Sequence, residues 1–235
     1  MEIFAHRGAS AYYPENTMLS FEKAIEMGCT GIETDVQMTK DGVLVLIHDE
    51  RVDRTTGETG YVKEFTFNEI RKLNAGYYKH FKFCQIPTAE ELLELGKEKG
   101  IHINFELKTY HPVANHIEDK LIQLIYKYEM QNNVIISSFF QEPLLRCRQL
   151  DSTIRLALLT TKAVKISCLS SLGIHIVHPI YYLTSFIVQL KQNHFNVNVF
   201  TVNKKRQMKK FIKLNVDGLI TDMPDVASQL ALSQI

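Results

Sequence analysis

Short apolar runs of strand length alternate with helix-period segments along the whole chain. That alternation restricts the fold more than any other feature of the sequence. The strands are expected at Glu2–His6, Thr30–Met38, Ile101–Leu107, Val134–Ser137, Thr153–Leu158, Ile174–His178, Val197–Val202 and Gly218–Thr221. Helices are expected over about Thr17–Met27, Ala89–Lys99, Val113–Tyr128, Pro143–Leu150, Ala163–Leu172, Ser185–Gln192, Lys204–Leu214 and Asp225–Leu232. A hairpin partner at Val43–Ile47 follows the turn Asp41-Gly42. The helix at Ala89 has a clear start, with Pro87 followed by the capping box Thr88-x-x-Glu91. Eight strands, each followed by a helix, are the arithmetic of an α/β fold closed into a single (β/α)8 TIM barrel. The length of 235 residues suits such a barrel. A doubly wound open sheet is the rival, but eight regular units close more naturally. No Pro/Gly/Ser-rich linker divides the chain, so residues 1–235 read as one domain.

One segment breaks the rhythm. Residues 50–86 form a connection far longer than the ~2–6 residues of a usual βα loop. The segment carries its own helix signal, Thr66-x-x-Glu69, and the aromatics Tyr77, Tyr78, Phe81 and Phe83. A small insertion after the second strand belongs on the C-terminal face of the barrel, where active sites lie. Some of the aromatics are expected to pack it onto the rim, and others to wall the site. A decorative excursion is the plainer alternative.

Composition mainly excludes. With 27 basic and 26 acidic residues the net charge is +1, so no basic excess points to nucleic acid and no run of like charge stands out. No apolar run approaches the roughly 20 residues of a membrane helix. The start Met1-Glu2-Ile3-Phe4-Ala5-His6 lacks the pattern of a secretory signal, so the cytoplasm is the expected compartment. Cys29, Cys84, Cys147 and Cys168 are too scattered for a Cys-x-x-Cys site and read as buried, reduced thiols.

Strand parity locates the chemistry. In Gly31–Met38, Glu33, Asp35 and Gln37 share one face, while Ile32, Thr34, Val36 and Met38 share the other. The apolar face must pack on helices, so the carboxylates point into the barrel. Along the next barrel strand Ile101, Ile103, Phe105 and Leu107 face out, and His102, Asn104, Glu106 and Lys108 face in. Buried charges of one sign are costly unless neutralised. Taken singly, each acid reads as a partner of Lys108, Arg7 or Arg54. Together, Glu33, Asp35 and Glu106 make an oxygen-only site that favours Mg²⁺ or Ca²⁺ over Zn²⁺. His6 and His48 close neighbouring strands on the same face, and paired imidazoles suit acid–base work near neutral pH. His178, also at a strand end, reads as a packed core histidine. Arg7 offers a planar fork for phosphate and Lys108 a point charge. There is no Gly-x-x-x-x-Gly-Lys loop and no Gly-x-Ser-x-Gly elbow, so phosphoester hydrolysis fits better than nucleotide hydrolysis or acyl transfer.

An ordered set of motifs then resembles the glycerophosphodiester phosphodiesterase family over nearly the whole chain. It runs through His6-Arg7-Gly8, Pro14-Glu15-Asn16-Thr17, Gly31-Ile32-Glu33-Thr34-Asp35-Val36, Thr39-Lys40-Asp41-Gly42 and His48-Asp49. It continues through Arg54-Thr55-Thr56, Ile86-Pro87-Thr88, Glu106-Leu107-Lys108, Ser137-Ser138-Phe139, Thr201-Val202-Asn203 and Thr221-Asp222-x-Pro224. The resemblance implies hydrolysis of a small glycerophosphodiester to glycerol 3-phosphate and an alcohol with a divalent cation. It implies Glu33, Asp35 and Glu106 as metal ligands, His6 and His48 as the acid–base pair, and Arg7 and Lys108 on phosphate. Asn16 resembles a supporting residue of the family, and its plainer role is N-cap of the first helix. The family commonly has Trp where Phe200 stands; Phe keeps an apolar wall and loses the indole N–H. A lyase of the phosphatidylinositol phospholipase C or sphingomyelinase D type resembles this site too. Secreted members of the latter carry a disulfide loop near the second histidine, and Glu50–Gly60 has no Cys. Another metal-dependent phosphatase and a non-catalytic glycerophosphodiester-binding protein are the remaining alternatives.

Overall fold

A computed structural model describes residues 1–108 and 116–233. The chain runs β1 (Glu2–His6), α1 (Met18–Glu26), β2 (Gly31–Met38), β3 (Leu44–Leu46), α2 (Asp53–Thr56), α3 (Phe67–Ile70), α4 (Ala89–Lys99), β4 (His102–Leu107) and α5 (Ile117–Lys127). It continues with β5 (Val134–Ser138), α6 (Gln141–Leu150), β6 (Arg155–Thr160), α7 (Ile166–Ser171), β7 (Ile176–Pro179), α8 (Thr184–Gln192), β8 (Asn196–Val199), α9 (Lys205–Lys213), β9 (Gly218–Thr221) and α10 (Pro224–Leu232). The sheet order is β1-β9-β8-β7-β6-β5-β4-β2, and a β1–β2 pairing closes it into an eight-stranded parallel barrel. This is the (β/α)8 TIM barrel expected from the alternation.

β2 outlasts β1. Their pairing ends at His6↔Glu33, and the remaining edge of β2 is taken by antiparallel β3, Val36 facing Leu46 and Met38 facing Leu44. The short hairpin thereby satisfies the backbone groups that β1 leaves unpaired. The strand bounds fall within one residue of expectation except at β6, β7 and β8, which shift by two or three residues. β6 starts at Arg155 because Asp151 Oδ1 accepts from Thr153 N and Thr153 Oγ1 at 2.7 Å each, which turns the chain before it can pair. The expected helix start at Val113 lies outside the described residues.

Two apolar layers hold the barrel. Outside, Ile32, Val36, Ile103 and Phe105 join Leu92, Leu93, Leu121 and Ile125 in one buried cluster, as strand parity requires. Inside, Phe4, Ile135, Ala157, Ile176 and Ile220 fill the axis. Phe4 fits only because its neighbour across the sheet is Gly31: a Cβ there would lie 2.6 Å from the Phe4 ring. Burying Phe105 contributes about 2–3 kcal/mol. Helix starts follow the sequence signals. Thr17 Oγ1 accepts from Ser20 N, and Thr88 and Glu91 form the expected reciprocal cap of α4.

Residues 50–86 carry a small core of their own. Val52, Val62, Ile70, Ala75 and Ile86 pack with Val45 and Ile47. The Thr66/Glu69 box starts α3 as expected. Tyr78 Oη accepts from Glu15 N at 2.9 Å and Phe81 packs on Tyr13 with ring centroids 5.9 Å apart, so two of the four aromatics pin the segment to the β1–α1 loop. Tyr77 and Phe83 are exposed. All four thiols are free: Cys29 and Cys147 are buried as expected, whereas Cys84 is half-buried and Cys168 exposed. No helix among the described residues is long and apolar enough to cross a membrane.

Candidate active site

The chain turns sharply as it leaves β1. Arg7 takes a left-handed backbone at φ 55° and Gly8 follows at φ 83°. A Cβ on Gly8 would fall 1.8 Å from Ser20 Oγ, so glycine is required there. The turn is held by Arg7 N, which donates to the Glu33 carbonyl at 2.8 Å and to Glu33 Oε2 at 3.2 Å, and by Ser20 Oγ donating to the Arg7 carbonyl at 2.8 Å. A strained non-glycine residue costs about 1–3 kcal/mol. Here it aims the Arg7 guanidinium across the mouth, where Nε lies 3.2 Å from Asp35 Oδ2 and Nη1 donates to Glu15 Oε1 at 3.0 Å.

The inward carboxylates converge as parity dictates. β2 and β4 pair with Asp35 directly beside Glu106. Glu33, Asp35 and Glu106 are buried, and each offers an oxygen within 4.8 Å of the others. Lys108 sits against Asp35 Oδ1 at 3.1 Å and hydrogen-bonds Glu106. The Asp35 contact is an ion pair off the hydrogen-bond direction, and Asp35 Oδ1 is otherwise unpartnered. Burial, reinforced by Asp35 and Glu106 against the pull of His6, pushes the Glu33 carboxyl up to about 8. Burial and Asp35 also raise Glu106. Asp35 goes the other way: burial opposes its charge, but Lys108 and Arg7 hold it well below the carboxylate range. The cluster is therefore short of positive charge around Glu33 and Glu106. Its three hard oxygen donors and the open Asp35 lone pair fit a divalent cation.

Each histidine has a carboxylate behind it. His6 Nδ1 lies 2.6 Å from Asp222 Oδ1, and Asp222 is itself gripped by Asn203 Nδ2 at 2.5 Å and Ser10 Oγ at 3.1 Å. His48 Nδ1 lies 2.6 Å from Asp49 Oδ1, with Arg54 Nε donating to Asp49 Oδ2 at 2.6 Å. The environments differ. Burial lowers the His6 pKa, but the hydrogen bond to Asp222 and the charge of Glu33 outweigh it and leave it raised. At His48 burial again lowers the pKa and, with Arg7 and Lys108 on its side, leaves it depressed despite Asp35 and the hydrogen bond to Asp49. Burial opposes the Glu15 charge, but Arg54 and Arg7 hold Glu15 ionised between them.

His6, Arg7, Glu33, His48, Glu106 and Lys108 line a cavity of about 140 Å³ whose far wall is Phe139, Leu159, Phe200 and Ile220. Phe200 lies in this apolar wall, edge-on to Phe139 with centroids 5.9 Å apart. None of Tyr77, Tyr78, Phe81 and Phe83 lines this cavity, contrary to the expectation that some would wall the site; Tyr78 and Phe81 engage the β1–α1 loop instead, and Tyr77 and Phe83 are exposed. Asn16 reaches the site but does not cap α1. Its backbone is left-handed at φ 51°, unsuited to an N-cap, and Thr17 takes that role. The Asn16 amide donates to Asp35 Oδ2 at 2.8 Å while its carbonyl accepts from Thr34 Oγ1 at 2.7 Å. Sequence reasoning gave no role to Asp222, Asn203 or Glu15 and offered Arg54 only as an ion-pair partner of the inward acids, although all four lie in the motifs quoted above. It also missed Gln37, whose amide donates to the carbonyls of Ile47 at 2.9 Å, His48 at 3.1 Å and Asp49 at 2.5 Å and so fixes the loop that bears His48.

Comparison with known proteins agrees with this geometry. A family model described as the glycerophosphoryl diester phosphodiesterase family matches residues 6–226. A glycerophosphodiester phosphodiesterase of Caldanaerobacter subterraneus subsp. tengcongensis is 40% identical over 234 residues, which cover 97% of this chain and 96% of that one. One from Bacillus altitudinis is 37% identical over 238 residues, covering 97% of each chain. Among solved structures, an Oleispira antarctica phosphodiesterase in complex with the product sn-glycerol-3-phosphate superposes with a TM-score of 0.86 at 25% identity, covering 99% of this chain and 97% of that one. The chain belongs to the glycerophosphoryl diester phosphodiesterase family, whose members are phosphoric diester hydrolases.

Proposed function

We propose that this enzyme hydrolyses small glycerophosphodiesters to glycerol 3-phosphate and an alcohol, with Mg²⁺ or Ca²⁺ held by Glu33, Asp35 and Glu106. The observation that carries this reading is the pairing of two imidazoles, each backed by a carboxylate at 2.6 Å, with a buried three-carboxylate cluster around one cavity. A bound divalent cation would supply Lewis-acid polarisation of the phosphodiester oxygens. Arg7 and Lys108 would bind the same phosphate as fork and point charge. Asp222 and Asp49 orient the rings, and each Nδ1 hydrogen bond steadies the imidazolium when its ring carries the proton. One ring would accept the nucleophile's proton and the other would protonate the departing alkoxide. Phe139, Leu159 and Phe200 exclude water from the opposite side. In this reading residues 1–235 act as one barrel domain, with 50–86 inserted at its mouth. The Oleispira antarctica relative, which holds sn-glycerol-3-phosphate, supports the product assignment.

The test is release of glycerol 3-phosphate from glycerophosphocholine and glycerophosphoglycerol, with and without chelator. Activity should vanish on chelation and return with Mg²⁺ or Ca²⁺. His6→Ala and His48→Ala should each lose about 10²–10⁴-fold while remaining folded. Full activity after exhaustive chelation, or near-normal turnover in either variant, overturns the reading.

A further inference from the structure

The near-neutral charge of the chain is an average over two unlike parts. Between Asp151 and Asp217 there are ten basic residues and no acidic one; the other 17 basic and 26 acidic residues give the rest of the chain a net −9. The earlier reading that no run of like charge stands out is corrected here, because Lys204–Lys210 holds five cations in seven residues. In the fold this stretch is a continuous arc, β6 to α9 with the intervening mouth loops. Lys204, Lys205, Arg206, Lys209, Lys210 and Lys213 are all exposed on α9 and its N-cap, and none has an ion-pair partner among the described residues. Met208 and Phe211 are fully buried on the opposite side, so the helix cannot roll its cations away from solvent.

An aromatic rim joins this helix to the cavity. Phe139 and Phe200 line the cavity, and the Phe200 carbonyl accepts from Tyr181 N at 2.7 Å. Tyr181 packs edge-on against Tyr182 at 5.7 Å. Two residues further on, Thr184 Oγ1 accepts from Lys210 Nζ at 2.6 Å. Tyr182 and the loop-tip Phe140 are each 58% exposed, so both rings present apolar surface to solvent along this rim. Unpaired cations beside exposed rings are the chemistry of a bilayer interface, where cations meet anionic headgroups and rings sit at headgroup depth.

We propose that this face docks the protein on an anionic lipid bilayer, with the α9 cations on the headgroups and Phe140 and Tyr182 entering the interfacial layer. A nucleic-acid backbone would use the cations equally well. It would gain little from a phenyl ring at a loop tip with Leu145 exposed on the helix that follows. Docking in this pose holds the active-site mouth beside the membrane without a spanning segment.

The test is co-sedimentation of the full chain with phosphatidylglycerol/phosphatidylcholine vesicles and with pure phosphatidylcholine vesicles. Binding should require the anionic lipid and fall steeply as salt rises. Each cation removed should weaken partitioning by about five-fold, so the triple variant Lys205→Glu/Arg206→Glu/Lys209→Glu should lose more than about 100-fold. Phe140→Ala should weaken binding further at unchanged charge. All variants should hydrolyse soluble glycerophosphocholine as the parent does; since vesicle binding is read without catalysis, failure of docking and failure of the catalytic reading are distinguishable. Equal sedimentation with neutral vesicles, no sedimentation with anionic ones, or unchanged binding of the triple variant overturns the proposal. So does charge-dependent retention on an RNA homopolymer exceeding that on vesicles, with no effect of Phe140→Ala.

Discussion

Glu33→Gln should reverse its effect on stability when a divalent cation is added. In the cation-free protein Glu33 faces Asp35 and Glu106 with oxygens within 4.8 Å. With burial and these two neighbours pushing its carboxyl up to about 8, Glu33 is mostly protonated at pH 7, and holding that proton against an ordinary value near 4.5 costs about 3 kcal/mol. Glu33 has little to offset this. Lys108 is taken up by the other two acids, and His6 Nε2 stands 4.0 Å away. Allowing for His6 and Arg7, the neutral amide should stabilise the cation-free protein by about 1–3 kcal/mol, or roughly 3–8 °C in Tm for a chain of this size. A cation at a hundred times its Kd should stabilise the parent by about 2.7 kcal/mol and the variant by much less, since a ligand is gone. Differential scanning calorimetry in chelator and then in excess Mg²⁺ or Ca²⁺ reads both effects without an activity assay. The variant should melt above the parent in chelator and below it in cation. A variant less stable than the parent in chelator would refute the argument from the raised Glu33 carboxyl, and an equal response to cation would refute the ligand assignment.

Three further outcomes are expected. Asp222→Asn should lower kcat by about 10²-fold with KM little changed and the fold intact, and Asp222→Glu should partly restore it; unchanged kcat would show that His6 needs no positioning. Arg54→Ala should reduce activity through Asp49 and His48 while Tm moves by less than about 3 °C, because half-exposed ion pairs contribute only about 0–1 kcal/mol; loss of stability without loss of activity would make Arg54 structural. His178, inside the barrel, is held neutral by burial, with its pKa lowered to about 3. The unfolded chain therefore binds a proton below the usual value near 6.5 that the folded chain does not, and stability falls as pH drops from there towards 3. Between pH 7 and 5 this amounts to about 2 kcal/mol. Urea unfolding followed by circular dichroism, suited to a chain with no Trp, should show a shallower acid loss in His178→Gln, and identical pH dependence in both proteins would rule the histidine out.

What the sequence made legible follows from period. The two-residue repeat of β2 and β4 settles which carboxylates meet, because one face of each strand must pack on helices. The capping boxes at Thr66 and Thr88 mark helix starts locally. What stayed hidden depends on contacts across the chain. Asp222 reaches His6 from 216 positions away, and Glu15 meets Arg54 across 39. No local pattern announces such pairs. Asn16 was placed near the site for the right reason, its motif, while its supposed capping role failed because the backbone there is left-handed. Gln37 was correctly put on the inward face, yet only the structure reveals that it faces a loop with three carbonyls to satisfy.

The strands divide their labour unequally around the circumference. Every titratable group at the cavity comes from the arc β9–β1–β2–β4 and the loops it carries, whereas β5 to β8 contribute only Phe139, Leu159, Phe200 and the neutral Thr201. On the proposed mechanism, half of the barrel carries the bond-breaking chemistry and half only shapes the cavity. Change should accumulate by sector: substitutions along the first arc are constrained by charge geometry, while those at Leu159 and Phe200 need only stay apolar and of suitable volume. A descendant could thus acquire a different leaving group by redrawing one wall, without passing through an inactive intermediate.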